Sequence, residues 1–274
     1  VGHSALKTED GNGKNVAVGY EALTTLNAGA DGETVAVGYQ ALKSQTTGVS
    51  NVAVGYLAGE DLTTGTDNTF IGTEAGKNTT DRNHNTAIGN QTLLTNVNGA
   101  KNVAVGSGAL LLMNPASDVD TNNTAVGYDA GGAVTTGTDN TFFGRQAGVA
   151  VNTGSSNTYI GAGTMGTATT GSNNTVIGGY NGNQDSIDIR TGSSYIVLSD
   201  GAGNVRQLYW SADGSMYMRQ QLRPWANNSY NLGGASNKWA EVFANNGTIN
   251  TSDENEKQQV ASLTSAEITA ATAI

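Results

Sequence analysis

Residues 51–67 read NVAVGYLAGEDLTTGTD, and residues 68–84 repeat their pattern as NTFIGTEAGKNTTDRNH. Each unit opens with Asn, then Val or Thr, a small or aromatic residue, then Val, Ile or Phe, and finally Gly. This repeat glycine recurs along the first two-thirds of the chain at Gly2, Gly19, Gly38, Gly55, Gly72, Gly89, Gly106, Gly127, Gly144, Gly161 and Gly178. Successive repeat glycines are 17 residues apart, apart from single spacings of 19 and 21 residues. A fixed period of this length predicts a solenoid in which each unit forms one coil.

Each unit is too short for two helices, so we expect it to hold two short strands and two turns. The opening pentapeptide favours a strand because Val, Ile and Thr are common in strands. Side chains alternate along a strand, so Val52 and Val54 lie on one face and Ala53 on the other. Both faces are apolar in every unit, which predicts that both are buried. One face fills the interior of the coil, and the other one needs a neighbour, for which we expect another copy of the chain.

Polar positions of the repeat are equally regular. An Asn stands four residues before each repeat glycine from Gly19 onward, except that Thr34 takes its place in one unit. We expect these Asn side chains to stack as a hydrogen-bonded ladder at the turn. The two longer spacings are insertions, near Ala30–Glu33 and Met113–Asp120, and insertions in a solenoid form surface loops.

The repeat resembles the head domain of trimeric autotransporter adhesins, whose units also centre on a strand reading Val-Ala-Ile-Gly or close to it. That family forms a left-handed parallel β-roll in which three chains surround one axis, and its best-known units are somewhat shorter than 17 residues. The resemblance covers about residues 1–180. We therefore predict an all-β fold, with a homotrimeric parallel β-roll or solenoid over residues 1–180.

The composition changes after residue 180, and all three Trp follow. Residues 181–222 contain four candidate strands separated by turn signals, at Ile187–Ile189, Tyr195–Leu198, Val205–Trp210 and Ser215–Arg219. We expect a β-rich connector in which three chains intertwine and aromatic side chains form a shared core. A small independent β domain is the alternative.

Residues 223–251 resemble a segment common in phage tail fibres and spikes just before their terminal chaperone, on the features Arg223-Pro224, Tyr230-Asn231-Leu232-Gly233, Trp239 and Val242-Phe243. Residues 252–274 then resemble the start of an endosialidase-type intramolecular chaperone, a family that opens on Ser-Asp, three residues and Lys. The resemblance implies that the full precursor cleaves itself once beside Ser252. Ser252 would be the nucleophile and Lys257 its base, since a Lys amine accepts a proton when burial depresses its pKa. Asp253 would orient one of them.

The same stretch has another interpretation, in which it only begins a helix. Thr251 and Glu254 form a capping box, and residues 254–274 read as a short C-terminal helix. Asn255 and Glu256 also stand where the chaperone family often has Arg and Leu. Chaperones of this family continue well beyond the length present here, so we expect no working chaperone in these 274 residues.

Composition excludes several functions. A net charge of −10 with scattered basic residues predicts no nucleic-acid partner. No apolar run approaches the roughly 20 residues needed to cross a bilayer, so we expect no membrane insertion. There is no Cys, and His3 and His84 have no partner at ligand spacing, which predicts neither a metal site nor a cofactor. Asp118, Asp120 and Asn122 alternate as in a calcium loop but lack its Gly and Glu.

Four tyrosines are the candidate binding residues, because each follows a repeat glycine directly: Tyr20, Tyr39, Tyr56 and Tyr128. Aromatic faces can stack on sugar rings, and a row of them suits a polymeric glycan. Alternatively, these rings only pack over adjacent turns. A glycan-cleaving enzyme needs a pair of carboxylates about 5–10 Å apart, and no such pair can be singled out among Glu21, Asp61, Glu74 and Asp129.

These observations predict a structural and receptor-binding segment of a homotrimeric tail fibre or spike, carried by the virion of a bacteriophage or prophage. Its expected partner is a polysaccharide or outer-membrane receptor on a bacterial host. We expect no enzymatic activity toward external substrates. Two alternatives stay open, a trimeric surface adhesin of bacterial origin and a tailspike that depolymerises glycans.

Overall fold

The structure, a computed structural model, describes residues 1–8, 13–27, 32–184, 187–203, 208–210 and 212–217. The chain divides into two compact units, Val1–Leu222 and Arg223–Ile274, and all described residues lie in the first. The described residues form strands and turns and contain no helix. The segment 223–251 and the helix predicted over residues 254–274 lie outside the described residues.

The described residues contain seventeen short strands: β1 Val16–Val18, β2 Val35–Val37, β3 Val52–Val54, β4 Thr69–Ile71, β5 Thr86–Ile88, β6 Gly99–Ala100, β7 Val103–Val105, β8 Val119–Asp120, β9 Thr124–Val126, β10 Thr141–Phe143, β11 Thr158–Ile160, β12 Thr175–Ile177, β13 Asn183–Gln184, β14 Ile187–Asp188, β15 Ile196–Leu198, β16 Leu208–Trp210 and β17 Met216–Tyr217. Eleven of them form one parallel ladder in the order β1-β2-β3-β4-β5-β7-β9-β10-β11-β12-β15, which we call the main ladder. The predicted all-β solenoid of 17-residue repeats is confirmed.

The register of the main ladder follows the repeat. Val52 lies opposite Val35 in the preceding coil and Thr69 in the following one. The longer spacings do not shift it, since β1 pairs in register with β2 and β7 pairs in register with β9. The extra residues of these units are therefore accommodated outside the strands.

Each coil contributes one three-residue strand to the main ladder, so the expectation of two strands of about five residues in every unit is wrong. After the repeat glycine the backbone alternates in sign, with φ values of 53° at Gln40 and 48° at Leu42. A β-strand requires negative φ at each residue, so this part of the coil runs as stacked turns. Its backbone still bonds to both neighbouring coils. The N–H of Gln40 donates to the Tyr20 carbonyl at 2.8 Å, and that of Leu42 to the Ala58 carbonyl at 3.0 Å.

The core consists of the middle residue of each strand and residues of the facing turns. Where the middle residue is Ala87, Leu93 of the same coil fills the interior, and both side chains are fully buried. Where it is Phe70, the equivalent turn residue is Gly76, and a Cβ there would lie 2.4 Å from the ring. Gly59 in the preceding coil gives room on the other side of the same ring. Large and small residues thus compensate each other, which keeps the interior close-packed.

The buried Asn residues form the predicted ladder. Asn51 Oδ1 accepts from the backbone N–H of Asn68 at 2.9 Å, and Asn68 Oδ1 accepts from that of Asn85 at 2.9 Å. Asn68 Nδ2 donates to the Arg82 carbonyl at 2.8 Å, where the chain approaches the next coil. The same bonds recur in later coils through to Asn174, which accepts from the N–H of Tyr195.

At the exceptional Thr34, a second side chain completes the ladder. Its hydroxyl accepts from the N–H of Asn51 at 3.4 Å, as an Asn oxygen does elsewhere. The missing amide is supplied by the fully buried Gln45, whose Nε2 donates to the Gly48 carbonyl at 2.6 Å. Gln45 Oε1 also accepts from Asn51 Nδ2 at 3.3 Å. The polar groups of this unit are therefore satisfied without Asn.

The insertion Met113–Asp120 lies on the surface, as predicted, and it is fixed to earlier coils. Its end, β8, pairs with β6. Two ion pairs hold its acidic residues: Asp118 Oδ2 lies 3.0 Å from Arg82 Nη2, and Asp120 Oδ2 lies 2.6 Å from Lys101 Nζ. The insertion near Ala30–Glu33 falls partly on residues 28–31, outside the described residues.

The main ladder continues beyond residue 180. β15 pairs in parallel with β12, so that Val197 lies opposite Val176, and β16 and β17 then extend the same sheet with antiparallel pairing. Strands occur within all four predicted segments, although shorter than predicted, and they share the solenoid's sheet. The intertwining of three chains stays a prediction.

Replacing Asn68 by Ala should lower the free energy of unfolding by about 2 to 4 kcal/mol, because a buried N–H and a buried carbonyl lose their partners. The measurement is urea unfolding followed by circular dichroism. The matched control is Asn90→Ala, since Asn90 is exposed, and it should change stability by less than about 0.5 kcal/mol. Equal losses in the two variants would contradict the structural role of the ladder.

The compensation between Phe70 and Gly76 predicts coupling in a double-mutant cycle. Gly76→Leu alone should destabilise the fold through collision with the Phe70 ring. The positive φ does not forbid Leu there, because Leu93 has a φ of 49° at the equivalent position. Adding Phe70→Ala recreates the Ala–Leu pair of the next coil and should recover at least about 1 kcal/mol. Additive effects in the cycle would refute the compensation.

Candidate ligand-binding site on the solenoid surface

Four aromatic side chains stack in a continuous row on the first coils. His3, Tyr20, Tyr39 and Tyr56 each follow a repeat glycine, and we call this row the aromatic ladder. Its ring centroids are 5.2, 5.3 and 5.3 Å apart, with interplanar angles of 11°, 8° and 15°. The three tyrosines are 43%, 43% and 51% exposed. They form the largest aromatic surface among the described residues.

The repeat glycines determine this stacking. Gly55 has a φ of 143°, and a Cβ on it would lie 2.4 Å from the carbonyl oxygen of Gly72 in the next coil. Only Gly permits so close a contact of backbone with backbone. Residues directly after these glycines are therefore held at nearly the spacing of adjacent strands, about 4.8 Å. Aromatic rings at that spacing stack on one another.

Stacking determines which part of each ring a ligand can reach. Tyr20 and Tyr39 each have a ring on both sides, so their faces are covered by their neighbours. The ring edges and the hydroxyl groups are left for contact with solvent. Glycan binding by these residues stays a prediction, but a sugar would meet a row of edges rather than a row of open faces.

The structure brings together three of the four predicted tyrosines. Tyr128 is 54% exposed, but the residues at its position in the adjacent coils are Ser107 and Arg145, so no tyrosine stacks on it. His3 extends the ladder and was missed from the sequence. It could have been found, because it follows the repeat glycine Gly2.

A polar cluster borders the aromatic ladder. Glu21 Oε2 accepts from Gln40 Nε2 at 2.7 Å and lies 3.1 Å from Lys43 Nζ. The hydrogen bond from Gln40, followed by that from Lys43, holds the pKa of Glu21 below its usual value. Glu21 in turn raises the pKa of Tyr20, by a hydrogen bond to its hydroxyl and by its negative charge. The ladder thus has an ionised carboxylate beside its second ring.

The carboxylates do not have the features of a glycan-cleaving pair. Glu74 is held like Glu21, with Gln91 Nε2 at 2.8 Å and Lys77 Nζ at 3.8 Å. A general acid for glycoside hydrolysis needs a raised pKa, whereas that of Glu21 is lowered. Glu21 and Glu74 are better suited to accepting hydrogen bonds.

A second surface runs along the whole main ladder. The third residue of each strand points outward and is apolar in all eleven: Val18, Val37, Val54, Ile71, Ile88, Val105, Val126, Phe143, Ile160, Ile177 and Leu198. The first residue of each strand is Val, Thr or Ile, on the same side. We call this surface the outer strand face. It is open to solvent in the single chain, with Val18 43%, Ile88 36% and Phe143 56% exposed.

The other predicted positions fall into two groups. Ser252, Asp253 and Lys257 lie outside the described residues, so self-cleavage stays a prediction. His84 contacts only the single carboxylate of Asp67, at 3.8 Å. Within the described part of the chain, no three His, Cys, Asp or Glu side chains are placed to hold a metal ion. The described residues also include no helix with the length and hydropathy needed to span a membrane.

Comparisons with protein-family models, with curated proteins and with solved structures find no match for this chain.

The contact between Glu21 and Tyr20 predicts a measurable effect on ionisation. Glu21→Gln removes the negative charge, so the pKa of the Tyr20 hydroxyl should fall toward its ordinary value. The measurement is a pH titration of the 13C-labelled Tyr20 ring by nuclear magnetic resonance. Glu74→Gln is the control, because Glu74 has the same kinds of partner but follows Thr73 rather than a tyrosine. An unchanged Tyr20 titration in Glu21→Gln would show that the contact is absent in solution.

Proposed function

We propose that this chain is a structural and receptor-binding segment of a homotrimeric attachment fibre, carried by a bacteriophage or prophage virion and used to adhere to a bacterial host. The observation that carries the proposal is the outer strand face. The segment acts by binding and by its length rather than by catalysis on external substrates.

The size and regularity of the outer strand face support assembly. Eleven strands about 4.8 Å apart make a face about 50 Å long, with two rows of side chains about 7 Å apart. Monomeric proteins rarely expose contiguous apolar patches larger than a few hundred Å². Strands that are apolar on both sides are usually covered on both sides. A second copy of the chain offers a face with the same spacing and the same length.

Threefold symmetry and the viral assignment come from resemblance. The adhesin-head repeat implies three chains around one axis, and the segment that leads into Ser252 resembles the end of phage tail fibres. A bacterial surface adhesin would share the same coils, so the C-terminal segment is the feature that favours a virion. Host contact is assigned to the aromatic ladder, the part of the described surface with exposed aromatic rings.

The proposal predicts a trimer that depends on the outer strand face. Native mass spectrometry of the chain should give three times the mass of 27.9 kDa. The double variant Ile71→Lys, Ile88→Lys should shift the protein to a monomer with unchanged circular dichroism, because both side chains are already partly exposed in the single chain. Thr64→Lys, at an exposed turn, is the control and should stay trimeric. A monomeric wild-type chain would overturn the proposal.

A further inference from the structure

We infer that the aromatic ladder binds a neutral, extended, β-linked polysaccharide that lies along the solenoid with one sugar residue beside each ring. The inference rests on the proposed function, because it names the class of receptor for the same chain. Its basis is the spacing of the rings, the part of each ring that is accessible, and the charge beside them.

The ring spacing distinguishes between possible polymers. The centroids advance by 5.2 to 5.3 Å from one ring to the next. This is close to the advance of one sugar residue in an extended glycan. An extended peptide advances about 3.3 Å per residue, and its side chains on one face recur about every 6.7 Å. A peptide would therefore lose register with the ladder within two rings, whereas an extended glycan stays in register along all four.

The accessible groups suit sugars. An extended glycan carries hydroxyl groups along its edges and C–H groups on its ring faces. Tyrosine edges offer apolar C–H contacts, and each phenolic hydroxyl both donates and accepts hydrogen bonds. Beside them, the Glu21 carboxylate accepts hydrogen bonds and the Gln40 amide can both donate and accept. Each ring thus presents an apolar part and a polar part, which is the combination that a sugar residue needs.

Charge favours a neutral glycan over an acidic one. The carboxylate of Glu21 stays ionised, because Gln40 and Lys43 hold its pKa low. The positive charge of Lys43 is engaged by that same carboxylate at 3.1 Å. The chain as a whole carries a net charge of −10. An anionic polysaccharide would be repelled at this site.

The test uses two neutral hexasaccharides of the same composition, cellohexaose, which is extended, and maltohexaose, which coils. Calorimetry on the 274-residue chain should detect cellohexaose binding that is at least about tenfold tighter than maltohexaose binding. Affinity should rise from the di- to the tetrasaccharide of the extended series and then level off, because the ladder has four rings. Resonances of the Tyr20, Tyr39 and Tyr56 rings should shift on binding.

Variants separate the ladder from the rest of the surface. Tyr39→Ala interrupts the row and should weaken cellohexaose binding by at least about tenfold, whereas Tyr39→Phe removes one hydroxyl and should cost roughly fivefold. Asn90→Ala, at the equivalent exposed position of a later coil, should have no effect. Absence of cellohexaose binding, equal binding of the two hexasaccharides, or loss of binding in Tyr128→Ala but not in Tyr39→Ala would each overturn the inference.

Native mass spectrometry of the same samples separates this inference from the proposed function. A trimer that does not bind cellohexaose would refute the glycan site and leave the fibre assignment intact. A monomer that binds it with the expected dependence on length would refute the trimer and leave the site intact.

Discussion

A buried Asn that hydrogen-bonds to the backbone of the next coil is the interaction on which the rest of the solenoid depends. An interior built of three-residue strands and turns exposes many backbone groups that no regular ladder satisfies, and each unsatisfied group would cost about 1–3 kcal/mol. The Asn oxygen accepts from the next Asn N–H, and its amide donates to a carbonyl near the end of the unit. Where Thr34 replaces Asn, Gln45 supplies the lost amide from another part of the coil. The requirement is therefore for the amide group, whichever residue carries it.

Fixed stacking has a direct consequence outside the coil, because any residue type that recurs at one position becomes a row. Recurring Val and Ile at the ends of the strands become the outer strand face, and tyrosines after the repeat glycines become the aromatic ladder. Neither surface requires a loop or an added domain. Function can therefore be changed coil by coil on this scaffold, as Tyr56 and Thr73 in adjacent coils illustrate, while the buried ladder of amides stays the same.

The periodic features could be predicted from the sequence, since strand position, the alternation of faces and the Asn ladder all follow from the spacing. The conformation of the turns could not. Gln40 and Leu42 have no composition typical of positive φ, and only the stacked backbone imposes it. The compensation of Phe70 by Gly59 and Gly76 also joins residues in two coils, which becomes visible only when the coils are superimposed. Ring orientation was likewise inaccessible, so the tyrosines were predicted but their covered faces were not.

The two outer surfaces differ in extent, and that difference separates their roles. The outer strand face is apolar in all eleven strands, as expected for an interface that must hold chains together along their whole length. The aromatic ladder is confined to the first coils and ends at Tyr56, because Thr73 and Asn90 take the next positions. If aromatic residues after the glycine were needed to cover the turns, every coil would require one. Coils with Thr73, Asn90 or Ser107 fold into the same register without it. The stacked tyrosines are therefore dispensable for the coil, which makes binding the more economical reason for their presence.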